Sequence, residues 1–196
     1  MIFFAGLILY GVILNLREVT LKEAVIEKGL KGFENVHLVI DKTDYRISLY
    51  SNKILIKKYK AVFGKSSGTI KSSSDDNITP IGDYKICAID TLNKYHKFFH
   101  LDYPNERDAA EALKQGYIFD DEFNTITLAA KKNECPPKET KLGSEIGIHG
   151  IGTYNIIFKN LPFAFNWTNG SIAVSNESID ELYSVIKVGT PVKIIN

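Results

Sequence analysis

A histidine and a serine 22 residues apart, His149 in IGIHGIG and Ser171 in TNGSIAV, form the pair in this chain best suited to acyl chemistry. Each reads as lying at a strand end beside a glycine. Glycine lets a backbone approach a ligand closely and leaves N–H groups free to face an oxyanion. A hydroxyl followed by the short apolar run Ile172-Ala173-Val174 and a capped helix is a reasonable seat for a nucleophile, with the imidazole as its base. Taken singly the features are weak. A lone histidine is more often structural, Gly170-Ser171 is an everyday turn, and TPIGDY at 79–84 is common turn chemistry. The histidines at 37, 96, 100 and 149 make no ligand cluster, so neither a metal nor another cofactor is expected. Cys87 and Cys135 have no metal-ligand spacing, and are either disulfide partners in an oxidising compartment or two separate thiols.

The elements that must position this pair can be read from periodicity. VHLVIDKTDYRISLY alternates and turns at Asp41-Lys42-Thr43-Asp44, which predicts a hairpin, and KILIKKYKAVFG continues in the same style. KSSGTIKSSSDDNITPIGDY is polar and reads as a loop; its Ser-rich part, 66–77, is either a lid or a long connection. DYKICAID and SEIGIHGIG read as strands. NERDAAEALKQG predicts a helix capped by Asn105 and ended by Gly116. DDEFNTITLAAKKN predicts another, with Phe123, Ile126 and Ala130 on one side. NESIDELYSVI predicts a third, with Ile179, Leu182 and Ile186 inward, and TPVKII a last strand. The class is therefore α+β, mainly β, with several peripheral helices and no internal boundary after about residue 34.

The net charge of +1 and 24 basic against 23 acidic residues give no reason to expect nucleic acid or an anionic surface as partner. Residues 1–16 are almost wholly apolar to Leu14. As a helix that run would be about 20 Å long, short of the ~30 Å hydrocarbon core. It reads as an export signal or anchor, which predicts an envelope protein, periplasmic and held at the inner membrane only through this segment. Residues 17–34 read as a helical lead-in, and 35–196 as the catalytic domain.

Together, ITPIGDYKI, FFHLDYPNERDAAEA, IHGIG, TNGSIAV and NESIDELYSVIKVGTPVKII resemble the L,D-transpeptidase catalytic domain, the YkuD family, over roughly residues 35–196. The resemblance implies a β-sandwich-like domain acting on peptidoglycan stem peptides. In the family a cysteine thiolate attacks the carbonyl of the third stem residue and expels the terminal D-alanine; an amine or water then resolves the acyl-enzyme. By position, His149 becomes the base and the Gly150 carbonyl its orienter. Ser171 stands where the family carries cysteine, with the N–H groups of Gly170 and Ser171 as oxyanion hole. Asn169, Tyr154 and Trp167 are expected along the substrate groove, and Arg107 and Lys94 are either substrate-carboxylate contacts or solvated charges. Three readings of Ser171 stand side by side. It is a replacement of cysteine introduced into the sequence, or a natural serine-type nucleophile backed by a carboxylate from Asp120, Asp121, Glu145 or Glu177. Or it marks a groove that kept its ligand and lost its chemistry.

Overall fold

The computed structural model describes residues 6, 9–13, 18–161 and 164–196. Most of the expected N-terminal anchor lies outside these, and no described helix is long and apolar enough to cross a membrane. The lead-in helix is shorter than its sequence pattern. It is α1, Leu21–Glu27, started by a Thr20/Glu23 capping box and followed by Gly29 at φ 65°.

The hairpin at 36–51 forms as expected, with β1 (Val36–Asp41) antiparallel to β2 (Arg46–Ser51). Its turn is held by the Asp41 carboxylate, which accepts from the N–H groups of Thr43 and Asp44 at 2.9 and 3.0 Å. β3 (Ile54–Lys60) completes a meander. β4 (Gly82–Asn93) is long enough to serve two sheets. Gly82–Lys85 pairs with β8 (Pro191–Ile195), and the remainder pairs with β5 (His96–Leu101). β6 (Gly147–Gly150) and β7 (Ile172–Val174) follow, giving the order β3-β2-β1-β8-β4-β5-β6-β7. β1 and β8 are parallel, as are β6 and β7, so the sheet is mixed. The chain after β3 bridges from Val62 to Ala173 and from Gly64 to Thr168. The two ends of the strand order are thereby joined, and the sheet folds on itself as a nearly closed sandwich.

The core lies between its inner faces. Leu38, Ile40, Ile47, Leu49, Ile148, Ile172 and Ile194 are each fully buried, and each such side chain contributes about 1.5–3 kcal/mol. α2 (Glu106–Lys114) and α3 (Asp120–Lys131) pack on each other, and Asn105 and Asp108 tie α2 to the start of β4 through the Asp83 carbonyl and the Tyr84 hydroxyl. The Cys87–Cys135 disulfide fastens the segment just after α3 to β4. Cys87 sits at a bulge between Ile86 and Ala88, where it faces no residue of β5. α5 (Asn176–Tyr183), capped by Ser175, buries Ile179 and Leu182. A 3-10 turn, Gly152–Tyr154, and a four-residue helix α4, Asn155–Phe158, follow β6.

The Ser-rich loop is braced rather than loose. The Asp76 carboxylate takes the buried Lys71 ammonium at 2.6 Å and the N–H groups of Ser72, Ser73 and Ile78. Lys42 donates to the carbonyls of Gly68 and Thr79 from outside.

Candidate functional site

β6 and β7 run side by side with Ile148 opposite Ile172 and His149 opposite Ala173. This register places Ser171 beside Gly147, two residues before His149, and so on the same face of the sheet because side chains alternate along both strands. The Ser171 hydroxyl accepts from the Gly147 N–H at 3.2 Å and donates to the Glu145 carbonyl at 3.3 Å. No hydrogen bond joins it to His149 among the described residues.

His149 is 2% exposed. Its Nδ1 lies 2.7 Å from the Gly150 carbonyl. A carbonyl only accepts, so Nδ1 carries the proton and Nε2 is the basic nitrogen. Three aromatic rings surround the imidazole, two from the β4–β5 hairpin and one from the segment before β7: Tyr95 at 4.4 Å, Phe98 at 5.4 Å and Trp167 at 6.0 Å between centroids. Burial pushes its pKa down to about 4; the Gly150 bond opposes this and the Lys94 charge adds to it. Lys94 is held with its ammonium over the Tyr95 ring. The turn carrying both is tied to α5 by His96 and Lys97 bonding Asp180.

None of the four candidate carboxylates backs the imidazole. Asp120 and Asp121 open α3 and face solvent. Glu145 pairs with Lys138. Glu177 is engaged by Lys159 and Asn155; burial works against its charge, yet these bonds hold it down to about 2.

The turn before Ser171 is closed by Thr168, whose hydroxyl donates to the Ser171 carbonyl at 2.5 Å and accepts the Gly170 N–H at 3.2 Å. Of the two N–H groups expected to form an oxyanion hole, Gly170's is thus already used, and Ser171's has no partner among the described residues. Gly170 has φ 122°, and a Cβ there would fall 2.9 Å from the Ile78 carbonyl, so only glycine fits. Asn169 is exposed, and its side-chain oxygen accepts from Lys65 at 3.0 Å. Trp167 packs on His149 and Phe158 and lines a hollow of about 230 Å³ with Ile151, Phe158, Phe165 and Ala173. His149 and Ser171 are not in its lining. Tyr154 points to solvent on the 3-10 turn, with no ring contact to Trp167 or His149 among the described residues. Arg107 bonds the Ile81 carbonyl, apart from the pair.

Two residues absent from the sequence expectations hold the segment after His149. Asn176 accepts the Gly152 N–H at 2.9 Å and donates to its carbonyl at 3.1 Å. Asn155 accepts the Asn176 N–H at 2.8 Å. A Cβ at Gly150 would lie 2.6 Å from the Tyr95 carbonyl and 2.8 Å from the Asn176 side-chain oxygen. These close contacts surround the residue whose carbonyl the His149 Nδ1–H bonds. Both asparagines are ordinary helix-end residues in sequence, and no local pattern marks them.

Residues 35–194 match the L,D-transpeptidase catalytic domain family, YkuD. Among solved structures, Bd1075 of Bdellovibrio bacteriovorus is similar at 22% identity and TM-score 0.52, over 83% of this chain and 48% of that one. An L,D-transpeptidase from Mycobacterium smegmatis is similar at 13% identity and TM-score 0.48, over 83% of this chain and 59% of that one. The chain thus spans about half the length of these structures, and at such identities the likeness speaks for the fold. No curated protein matches the sequence.

Proposed function

The chain belongs to the L,D-transpeptidase catalytic domain family, and from that premise we propose that it binds peptidoglycan stem peptides in the cell envelope without the family's thiol acyl transfer. One observation carries this reading: the Ser171 hydroxyl is bonded to the Glu145 carbonyl and the Gly147 N–H, turned to backbone and not to His149. A thiol has a pKa near ~8.5 and becomes a nucleophilic thiolate with modest help. A serine hydroxyl is a far weaker acid and needs a base in the transition state. His149, with its conjugate acid at about 4, is a poor one. Serine proteases support their imidazolium with a buried carboxylate, and replacing that group costs on the order of 10⁴-fold in kcat. Here a backbone carbonyl occupies that place.

A second reading, acyl transfer by Ser171 with His149 as base, is supported by the Ser171 N–H. It has no partner among the described residues and is free to meet an oxyanion.

One assay separates the two. The protein is incubated with a tetrapeptide muropeptide, and binding and D-alanine release are measured for wild type, Ser171→Ala and Ser171→Cys. Wild type is expected to bind and release nothing, while Ser171→Cys gains release. Wild-type release that Ser171→Ala abolishes would establish the serine enzyme and refute the first reading. Absence of binding would refute the stem peptide as ligand.

A further inference from the structure

One feature of the molecule is left unused by the site: a run of apolar side chains facing solvent on and beside α4, whose Phe158 lines the hollow with Trp167. Ile156 on α4 is 72% exposed, and its neighbours Tyr154 and Ile157 are exposed too. Four consecutive residues of α4, Asn-Ile-Ile-Phe, thus turn only Asn155 inward fully. Beside them lies a helical stretch, residues 9–13, from the apolar N-terminal sequence. It touches the domain through Gly11, where an added Cβ would lie 1.8 Å from the Asn160 carbonyl. Asn160 in turn donates to the Ile156 carbonyl at 2.7 Å, so the stretch and α4 meet across one residue. The stretch also turns Leu9, 62% exposed, with Tyr10 and Ile13 to solvent. Six large exposed apolar side chains from two distant parts of the chain are therefore carried by segments that touch each other.

We propose that this surface seats on a lipid bilayer, so that α4 and the N-terminal stretch enter the interface together. The N-terminal apolar run supplies the argument for lipid over other partners. Its residues 9–13 are helical and carry Leu9, Tyr10 and Ile13 outward, and a helix lying in the interface buries such an apolar face about 5–10 Å deep. The charges nearby do not favour an anionic partner, since Lys159 is paired with Glu177 and Lys57 with Glu181. The attraction is therefore hydrophobic and independent of lipid charge. Trp167 packs against Phe158 of α4 at 5.6 Å, so seating holds the hollow lined by Trp167 at the membrane surface. This inference is independent of whether Ser171 reacts.

The chain's single tryptophan, Trp167, makes the test direct. Full-length protein is mixed with phosphatidylcholine vesicles, with and without brominated acyl chains. Binding that resists high salt and quenching of Trp167 by the brominated lipid are expected. Ile156→Glu/Ile157→Glu, and the milder Ile156→Asn, are expected to weaken partitioning, the double variant about tenfold or more. Their melting temperatures are compared with wild type. Failure of the wild type to bind overturns the proposal. So does bound wild type with unquenched Trp167, which would mean the domain stands off the membrane. Binding only to phosphatidylglycerol that salt abolishes would assign the surface to electrostatics. Lipid-free dimers lost in the double variant would assign it to a second copy.

Discussion

Replacing His149 with phenylalanine tests the claim on which the chemistry of the site turns, that its imidazole is held neutral and weakly basic. The unfolded-chain pKa is 6.5 and the folded value about 4, with burial as the main cause. Above pH 6.5 both states are neutral and the group does not affect stability. As pH falls from 6.5 to 4 the unfolded chain takes up a proton that the fold refuses, so stability declines; below 4 the effect is constant. Integrated from pH 7.5 to 4.5, the loss is about 2.5 kcal/mol. The variant cannot titrate there and should lack that part of the slope. His100 is also depressed by burial but is present in both proteins and cancels. Glu177, Asp76 and Asp180 have lowered values and titrate below the window. Denaturant unfolding at pH 7.5, 6, 5 and 4.5 reads the difference. The change in stability with pH is the measured quantity, since the lost bond to the Gly150 carbonyl shifts the variant's stability equally at all pH values. Equal slopes in the two proteins would refute the reasoning: the imidazole would then ionise freely, and a competent base would again be available to Ser171.

Three further outcomes follow from the braces around the site. Asp76→Asn leaves the buried Lys71 ammonium without its counter-charge, and should cost about 3–5 kcal/mol in unfolding free energy, with amide exchange of Ser72, Ser73 and Ile78 accelerated. Replacing Cys87 and Cys135 together by alanine opens a loop of 48 residues and should cost about 4 kcal/mol by loop entropy; a chemical melt against the oxidised wild type checks it. Asn176→Ala removes both bonds to Gly152; it should cost about 2–3 kcal/mol and shift the His149 ring resonances in NMR, whereas unchanged resonances would show that the clamp does not position the imidazole.

Local elements were legible where a local cause exists. Asn105 and Ser175 announce their helices because an N-cap side chain satisfies N–H groups within its own turn. The Asp41 turn and the alternating strands about it declare the first hairpin for the same reason. β5 was not read as a strand, because in HKFFHL consecutive Phe98 and Phe99 break the alternation: Phe99 enters the core while Phe98 packs on His149. The lead-in helix was overread, since its apolar spacing continues past the point where Gly29 turns the chain. Pairing of Cys87 with Cys135 stayed open because it depends on how α2 and α3 return to β4, 48 residues on.

The sequence by itself determined which groups are available: a histidine, a serine in place of a thiol, and glycines where backbone must come close. It could not determine what those groups do to one another. The basicity of His149 depends on Tyr95, Phe98 and Trp167 excluding water from it, and these arrive from the β4–β5 hairpin and from the distant segment before β7. The direction of the Ser171 hydroxyl depends on the register of two parallel strands that sequence leaves unstated. Desolvation and hydrogen-bond direction belong to the surroundings of a group and not to its identity, so they are settled only when the chain has folded.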